Sequence, residues 1–496
     1  MRGRKFILCI LAILLIAVPL FAACGGGDDD KGKNTSTTSA QKDEFPLEPK
    51  RFDTTIKILC VSSSRHRYGE VQFVADEEKT GNVINDAVAK RNDYIEEKYG
   101  LKIEVAPVQY PGDEIKLSIQ SGIDEYQLVN DAVYKMLPNA TENFYWSLEK
   151  YLKLDSPWWD QNAIENLTVT DKTYFVAGDA LITDDDNTYL MLFNKEMYAN
   201  NSELSGKYGD IYQLVRDGKW TYDRLAEMAK LVSQPDTNGD WGTEGGIYGL
   251  LGDNYGSGIL VSGSGATSAE KTTDGGFRLT VGSERSVNAF AKVFEIMSDK
   301  SLTLRVEQLG DSGWGKVSNM FINKQGLFYM TSASSISSIK NSTAENIVDY
   351  GVLPIPKYDE EQEKYYNGIN IYQSTVLAIP TTNVEKFDAT VYLLEALGYY
   401  SKNFFGGESV AHAYYETTLK LQSVNSEDDE EMLDLIFSNR LYDIGAIYNW
   451  GGLLLDVYSR TLRSGSNTLV SYIDTIKDAV EADMEQTVAR YKELAS

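Results

Sequence analysis

Histidine and cysteine are scarce in this 496-residue chain: it has two histidines, His66 and His412, and three cysteines, Cys9, Cys24 and Cys60. A Cys/His zinc site and most histidine-based triads are therefore nearly excluded. Positive charge is short as well. Lys and Arg number 47 against 73 Asp and Glu, a net charge of −26, which argues against nucleic acid and against a basic membrane-surface patch. No GxSxG, HExxH or GxxxxGK[ST] pattern occurs, and the glycine-rich run from Gly256 to Gly263 does not make a phosphate loop. There is no internal repeat. The length exceeds what one hydrophobic core usually holds, so two large lobes are expected.

Tyrosine, by contrast, is abundant at 32, with 7 tryptophans, and these rings suit binding surfaces as well as cores. Arg2, Arg4 and Lys5 precede an apolar run from Phe6 to Ala23, a charged region followed by a hydrophobic one, so residues 1–23 read as a signal peptide. Leu20-Phe21-Ala22-Ala23-Cys24 resembles the lipobox of bacterial lipoproteins, with Phe21 where leucine is usual. The resemblance implies that Cys24 is lipidated after cleavage and tethers the protein to the outer face of a cytoplasmic membrane. An uncleaved membrane anchor is the competing reading. Gly25 to Glu44 has one alanine and no larger apolar residue. It cannot bury enough surface to order itself, and residues 24–52 are expected to form a disordered tether.

The body alternates strands and helices. Ile56–Val61 is a short apolar strand. Asn82 to Tyr99 has helical apolar spacing closed by Gly100, and Leu101–Val105 alternates as a strand. This is a βαβ opening and implies a parallel sheet. Further strands are expected at Thr188–Phe193, Gly326–Met330, Ile347–Leu353 and Ser374–Ile379, with helices at Trp220–Val232, Thr382–Ser401 and Leu469–Leu494. The last carries an apolar stripe that should dock on a lobe.

The order of the pieces resembles the extracellular solute-binding proteins of ABC importers, in the sugar-binding group. The likeness is carried by Leu148–Trp159, Lys172-Thr173-Tyr174, Gly178-Asp179, Phe193-Asn194-Lys195, Thr221–Leu225 and Gly351–Tyr358, ahead of a strand ending Ala378-Ile379-Pro380. It implies an α/β, two-lobe periplasmic-binding-protein-like fold with crossing hinge strands (type II). It places residues 53–187 and 351–415 in lobe 1, and 188–350 and 416–496 in lobe 2. It also implies a monomer that binds a soluble sugar without chemical change and hands it to permease subunits in the membrane. A surface sensor or adhesin and a carbohydrate-active enzyme are the alternatives, the latter needing two placed carboxylates.

In open α/β sheets, ligands meet the loops beyond the carboxyl ends of strands. The candidates there are Arg65, His66 and Tyr68 after the first strand, Asp131 and Tyr134 after another, Asp184 and Asp186 before the crossing strand, Ser334 after Gly326–Met330, Trp314 in a Gly-Trp-Gly loop, and Asn449 with Trp450. In the resembled group, the matching late segment brings an aromatic ring to the ligand. Trp158, Trp159 and His412 read as packing. No cofactor is required, but Asp236, Asn238, Asp240 and Glu244 stand at relative positions 1, 3, 5 and 9, the start of a calcium loop. Trp241 and Ile247 depart from that pattern, and the competing reading is a polar turn without metal.

Overall fold

The computed structural model describes residues 45–340, 348–420 and 427–495. They fold around two main sheets, beside the two-stranded pairs β6 (Ala269–Lys271) with β7 (Phe277–Leu279) and β11 (Asn367–Gly368) with β13 (Arg440–Leu441). The first has the order β12 (Thr375–Ala378), β3 (Leu128–Ala132), β1 (Thr54–Val61), β2 (Leu101–Val108), with β1 parallel to β2 and β3, and β12 antiparallel to β3. The second has the order β10 (Tyr350–Leu353), β4 (Tyr189–Asn194), β9 (Gly326–Ser332), β5 (Tyr248–Gly252), β8 (Thr303–Arg305). There β5, β8 and β9 run parallel and β4 antiparallel to β9. The fully buried pattern of β3, β4, β5 and β9 is what strands covered on both faces require.

Local signals start and stop the elements as the residues dictate. Helix α1 (Val83–Tyr99) is capped by the Asn82 side chain accepting from the Asn85 amide, and it ends at Gly100, whose φ of 64° only glycine adopts readily. Thr221 caps the helix Tyr222–Val232 in the same way. Gly256–Gly263, glycine-rich as it is, forms helix α2, because burial against its neighbours outweighs the low propensity of glycine.

The chain crosses between the sheets beside Thr188, which bridges to Ile369, while the Asn370 amide donates to Asn187 O at 2.9 Å. These crossings correct two expected boundaries. The return to the first lobe falls at 369–374 and not at 351. β10 pairs with β4, and the chain beyond it stays on the second lobe, where Trp220 Nε1 donates to Pro354 O at 2.8 Å and Tyr365 OH to Val215 O at 3.1 Å. The folded body also begins before residue 53. Phe45 interrupts the polar tract and sets its ring within 5.3–5.7 Å of those of Tyr99, Tyr392, Tyr399 and Tyr400, closing the space between α1 and helix α3 (Phe387–Asn403). Residues 1–44, with the expected signal peptide, Cys24 and most of the expected tether, lie outside the described residues.

Candidate functional site: the cleft between the lobes

The carboxyl ends of β1 and β3 bring Arg65, Asp131 and Tyr134 together. Asp131 is fully buried. Its Oδ1 accepts from Arg65 Nη1 at 2.7 Å and its Oδ2 from the Gly112 amide at 2.8 Å. Burial pushes the Asp131 pKa up, and Arg65 and the amides oppose that. Arg65 also donates to Tyr372 O at 2.8 Å and lies over the Tyr110 ring. Tyr372, in the second crossing, is 36% exposed. Its ring packs on Tyr134 from the first lobe (5.1 Å) and on Tyr255 from the second (5.9 Å). An aromatic row thus runs across the hinge.

The second wall stands at the ends of β5 and β8. Asp253 is 1% exposed. Its Oδ1 accepts from the Gly256 amide at 3.0 Å, and its Oδ2 has no partner. Desolvation first, and the neighbouring Glu307 charge next, push its pKa up to about 7. Glu307 accepts from the Asn254 amide at 3.0 Å, and Arg305 donates to Asn254 Oδ1. Trp314 begins the helix Gly313–Ile322 beyond β8 and is 55% exposed. Ser334 follows β9, its hydroxyl 2.6 Å from that of Ser332. Carboxylates, an amide, a hydroxyl and a ring thus follow the ends of β5, β8 and β9, the mixture that polyhydroxylated ligands engage.

Several expected contacts have other work. His66 and Asp186 are buried in the hinge. Asp186 accepts from Arg67 and from Tyr414 OH at 2.9 Å, while His66 Nε2 lies 3.4 Å from Asp186 and 2.8 Å from Asn187 Nδ2. Burial alone would raise the Asp186 pKa, but His66 and Arg67 hold it below the usual value. Tyr68 stands edge-on to Tyr414 in the same knot, under Arg67. Asp184 is buried beside Arg440, with its pKa pushed well up by desolvation first. Trp450 is 3% exposed. It stacks on Tyr448 at 5.1 Å and donates to Thr487 Oγ1 at 2.9 Å, so it anchors helix α4 (Leu469–Ala495) and does not face the cleft. Asn449, at φ 49°, uses its Oδ1 to accept from the Leu455 amide. Tyr110, Asp253, Tyr255 and Tyr372 were missed by sequence reasoning. The buried β5 run broken abruptly by Asp253-Asn254 was the available signal for the second wall.

The 236–244 loop does not gather a calcium ligand set. Asp236 spends both oxygens inside the loop, on the amides of Asn238 and Asp240 (2.9 Å each) and on Thr243 Oγ1 (2.9 Å), and Glu244 pairs with Lys316 at 2.7 Å. Among the described residues no group of three or more His, Cys, Asp and Glu could hold a metal ion. Nor is any described helix long and apolar enough to cross a membrane.

No family model and no curated protein matches this chain. Solved structures do. The sugar-binding protein MalE from Xanthomonas citri is similar at 13% identity and a TM-score of 0.57, over 89% of this chain and 100% of that one. A cyclo/maltodextrin-binding protein complexed with maltotetraose is similar at 15% and 0.54, over 90% and 98%. An ABC transporter solute-binding protein from Thermotoga lettingae, bound with α-D-tagatose, is similar at 15% and 0.51, over 87% and 99%. At such identities the likeness speaks for the fold: the chain has the two-lobe, type II periplasmic-binding-protein architecture.

Proposed function

We propose that the protein is a lipid-anchored, extracellular binding protein that captures a carbohydrate between its lobes, leaves it chemically unchanged and delivers it to the permease of an ABC importer. The observation that carries this reading is the row of Arg65–Asp131, Tyr134, Tyr372 and Tyr255, which runs from the first lobe over the crossing to the second. Rings cover the C–H faces of sugars while carboxylates and amides take hydroxyl pairs. Closure of the lobes around ligand is the shape change a permease reads. Structural neighbours bound with maltotetraose and with α-D-tagatose support a carbohydrate over other polar solutes.

The test is a thermal-shift screen of mono- and oligosaccharides, followed by small-angle scattering with each hit. A sugar at 100 times its Kd adds about 2.7 kcal/mol, and the scattering should show compaction. Turnover of a bound sugar, or no stabilisation by any saccharide, overturns the reading. The anchor has its own check: Cys24→Ala should leave the membrane fraction or stay uncleaved, and wild-type processing and attachment of that variant would remove Cys24 from the role.

A further inference from the structure

Behind Tyr255 lies a slot of about 40 Å³. Gly258 and Ile259 of α2, Ile369 and Ile371 of the second crossing, and Leu454 and Leu455 ahead of the helix Val457–Arg463 wall it. Tyr255 is the wall shared with the cleft, since its ring also packs on the exposed Tyr372. A water needs roughly 10–15 Å³ of such space, so the slot takes about three water-sized groups.

Its lining is mostly aliphatic, and most of the polar groups around it are engaged within the protein, although the buried Tyr458 hydroxyl has no partner. Tyr255 OH donates to Ile369 O at 2.9 Å. The Asp443 carboxylate accepts from the Ser268 amide at 2.8 Å, from Ser268 Oγ at 2.7 Å and from the Gly445 amide at 3.1 Å. Ser459 Oγ donates to Asp456 O at 3.1 Å. Water in the slot would find few partners, whereas carbon would find contact on most sides. Gly258 sharpens the point. A Cβ there would meet only Tyr458 Cδ2, at 3.7 Å, an ordinary contact. A methyl-sized volume is thus left open at a helical position where alanine has the higher propensity.

We propose that this slot receives a short aliphatic substituent of the ligand, up to about three carbons long, carried on the sugar held in the cleft. The inference rests on the carbohydrate reading and narrows it to alkylated sugars and small alkyl glycosides.

Calorimetry decides it with matched probes: each saccharide that binds, its methyl, propyl and hexyl glycosides in both anomers, and its O-methyl ethers. Methyl or propyl forms should bind more tightly than the parent, by about fourfold per buried methylene, and hexyl forms should lose the gain because the slot is short. Gly258→Ala, which places a methyl in the slot, and Ala446→Leu, which narrows it from another side, should each bring the ratio of propyl form to parent towards one. Parents that bind without any gain from alkylation overturn the slot and leave the carbohydrate reading standing. So does a gain that survives in both variants. No binding by any saccharide overturns the carbohydrate reading, and the slot with it.

Discussion

Asp253 shows how a single carboxylate couples the cleft to stability. Burial first, and then the Glu307 charge beside it, raise its pKa to about 7 from an ordinary 3.8. Folding therefore favours its protonated form. The contribution is fully present below the unfolded pKa near 3.8 and is lost as pH rises through about 7. Asp253→Asn should remove that dependence: in urea unfolding the variant's advantage over wild type should grow from pH 5 to pH 8 by an amount on the order of a few kcal/mol. Parallel wild-type and variant curves across this range would contradict the assignment. Arg65, Asp131 and Tyr134 were legible in the sequence because a short apolar strand followed by polar residues marks the end of a strand and the mouth of a sheet. His66, Asp184 and Asp186 gave the same signal and sit in the hinge. What separates the two groups is burial by chain segments far away in sequence, such as Tyr414 against Asp186, and no local pattern carries that.

Elements were more legible than contacts. The helix expected to end at Gly100 does so, and the C-terminal stripe docks as expected, with Ile473, Ile476, Val480, Met484 and Tyr491 all buried. Its docking is what captures Trp450. The indole stacks on Tyr448, packs on Phe277 at 4.7 Å and hydrogen-bonds Thr487 of α4, so a tryptophan before two glycines, which reads as a loop platform, is a rivet. Trp450→Ala should cost about 3–5 kcal/mol in denaturant unfolding, while ligand affinity measured on the folded fraction stays at the wild-type value. Weaker binding by a fully folded variant would return Trp450 to the cleft. The lobe boundary was misplaced for a related reason. The resemblance carried by Gly351–Tyr358 placed this stretch at the return to the first lobe, yet antiparallel pairing of β10 with β4 keeps it on the second.

At the scale of the whole molecule, the hinge is a buried electrostatic knot. Arg440 sits on β13 (Arg440–Leu441), which pairs with β11 (Asn367–Gly368) of the second lobe. Its Nε is 2.9 Å from Asp160 Oδ2 of the first lobe, and its Nη1 reaches Asp185 and, at 3.7 Å, Asp184 of the first crossing. Tyr442 OH donates to the same Asp160 oxygen at 2.8 Å, and Lys402 and Asp179 pair beside the cluster at 3.1 Å. One guanidinium thus neutralises carboxylates from two structural blocks, and burial would drive those carboxylates towards the protonated form without it. Arg440→Gln leaves them uncompensated. At pH 8 the variant should lose at least about 3 kcal/mol. Its Asp184 and Asp185 are then raised further above their unfolded values, so their contribution is present at low pH and vanishes as pH rises. The deficit against wild type should shrink markedly at pH 5. Urea unfolding of both proteins at the two pH values measures this, and scattering at pH 8 should show the variant more open than wild type, because the same arginine joins the lobes. An equal deficit at both pH values would mean that Arg440 holds the hinge by packing and hydrogen bonding alone, and the two-lobe body would then owe its angle to the aromatic row of Tyr134, Tyr372 and Tyr255 instead of to charge.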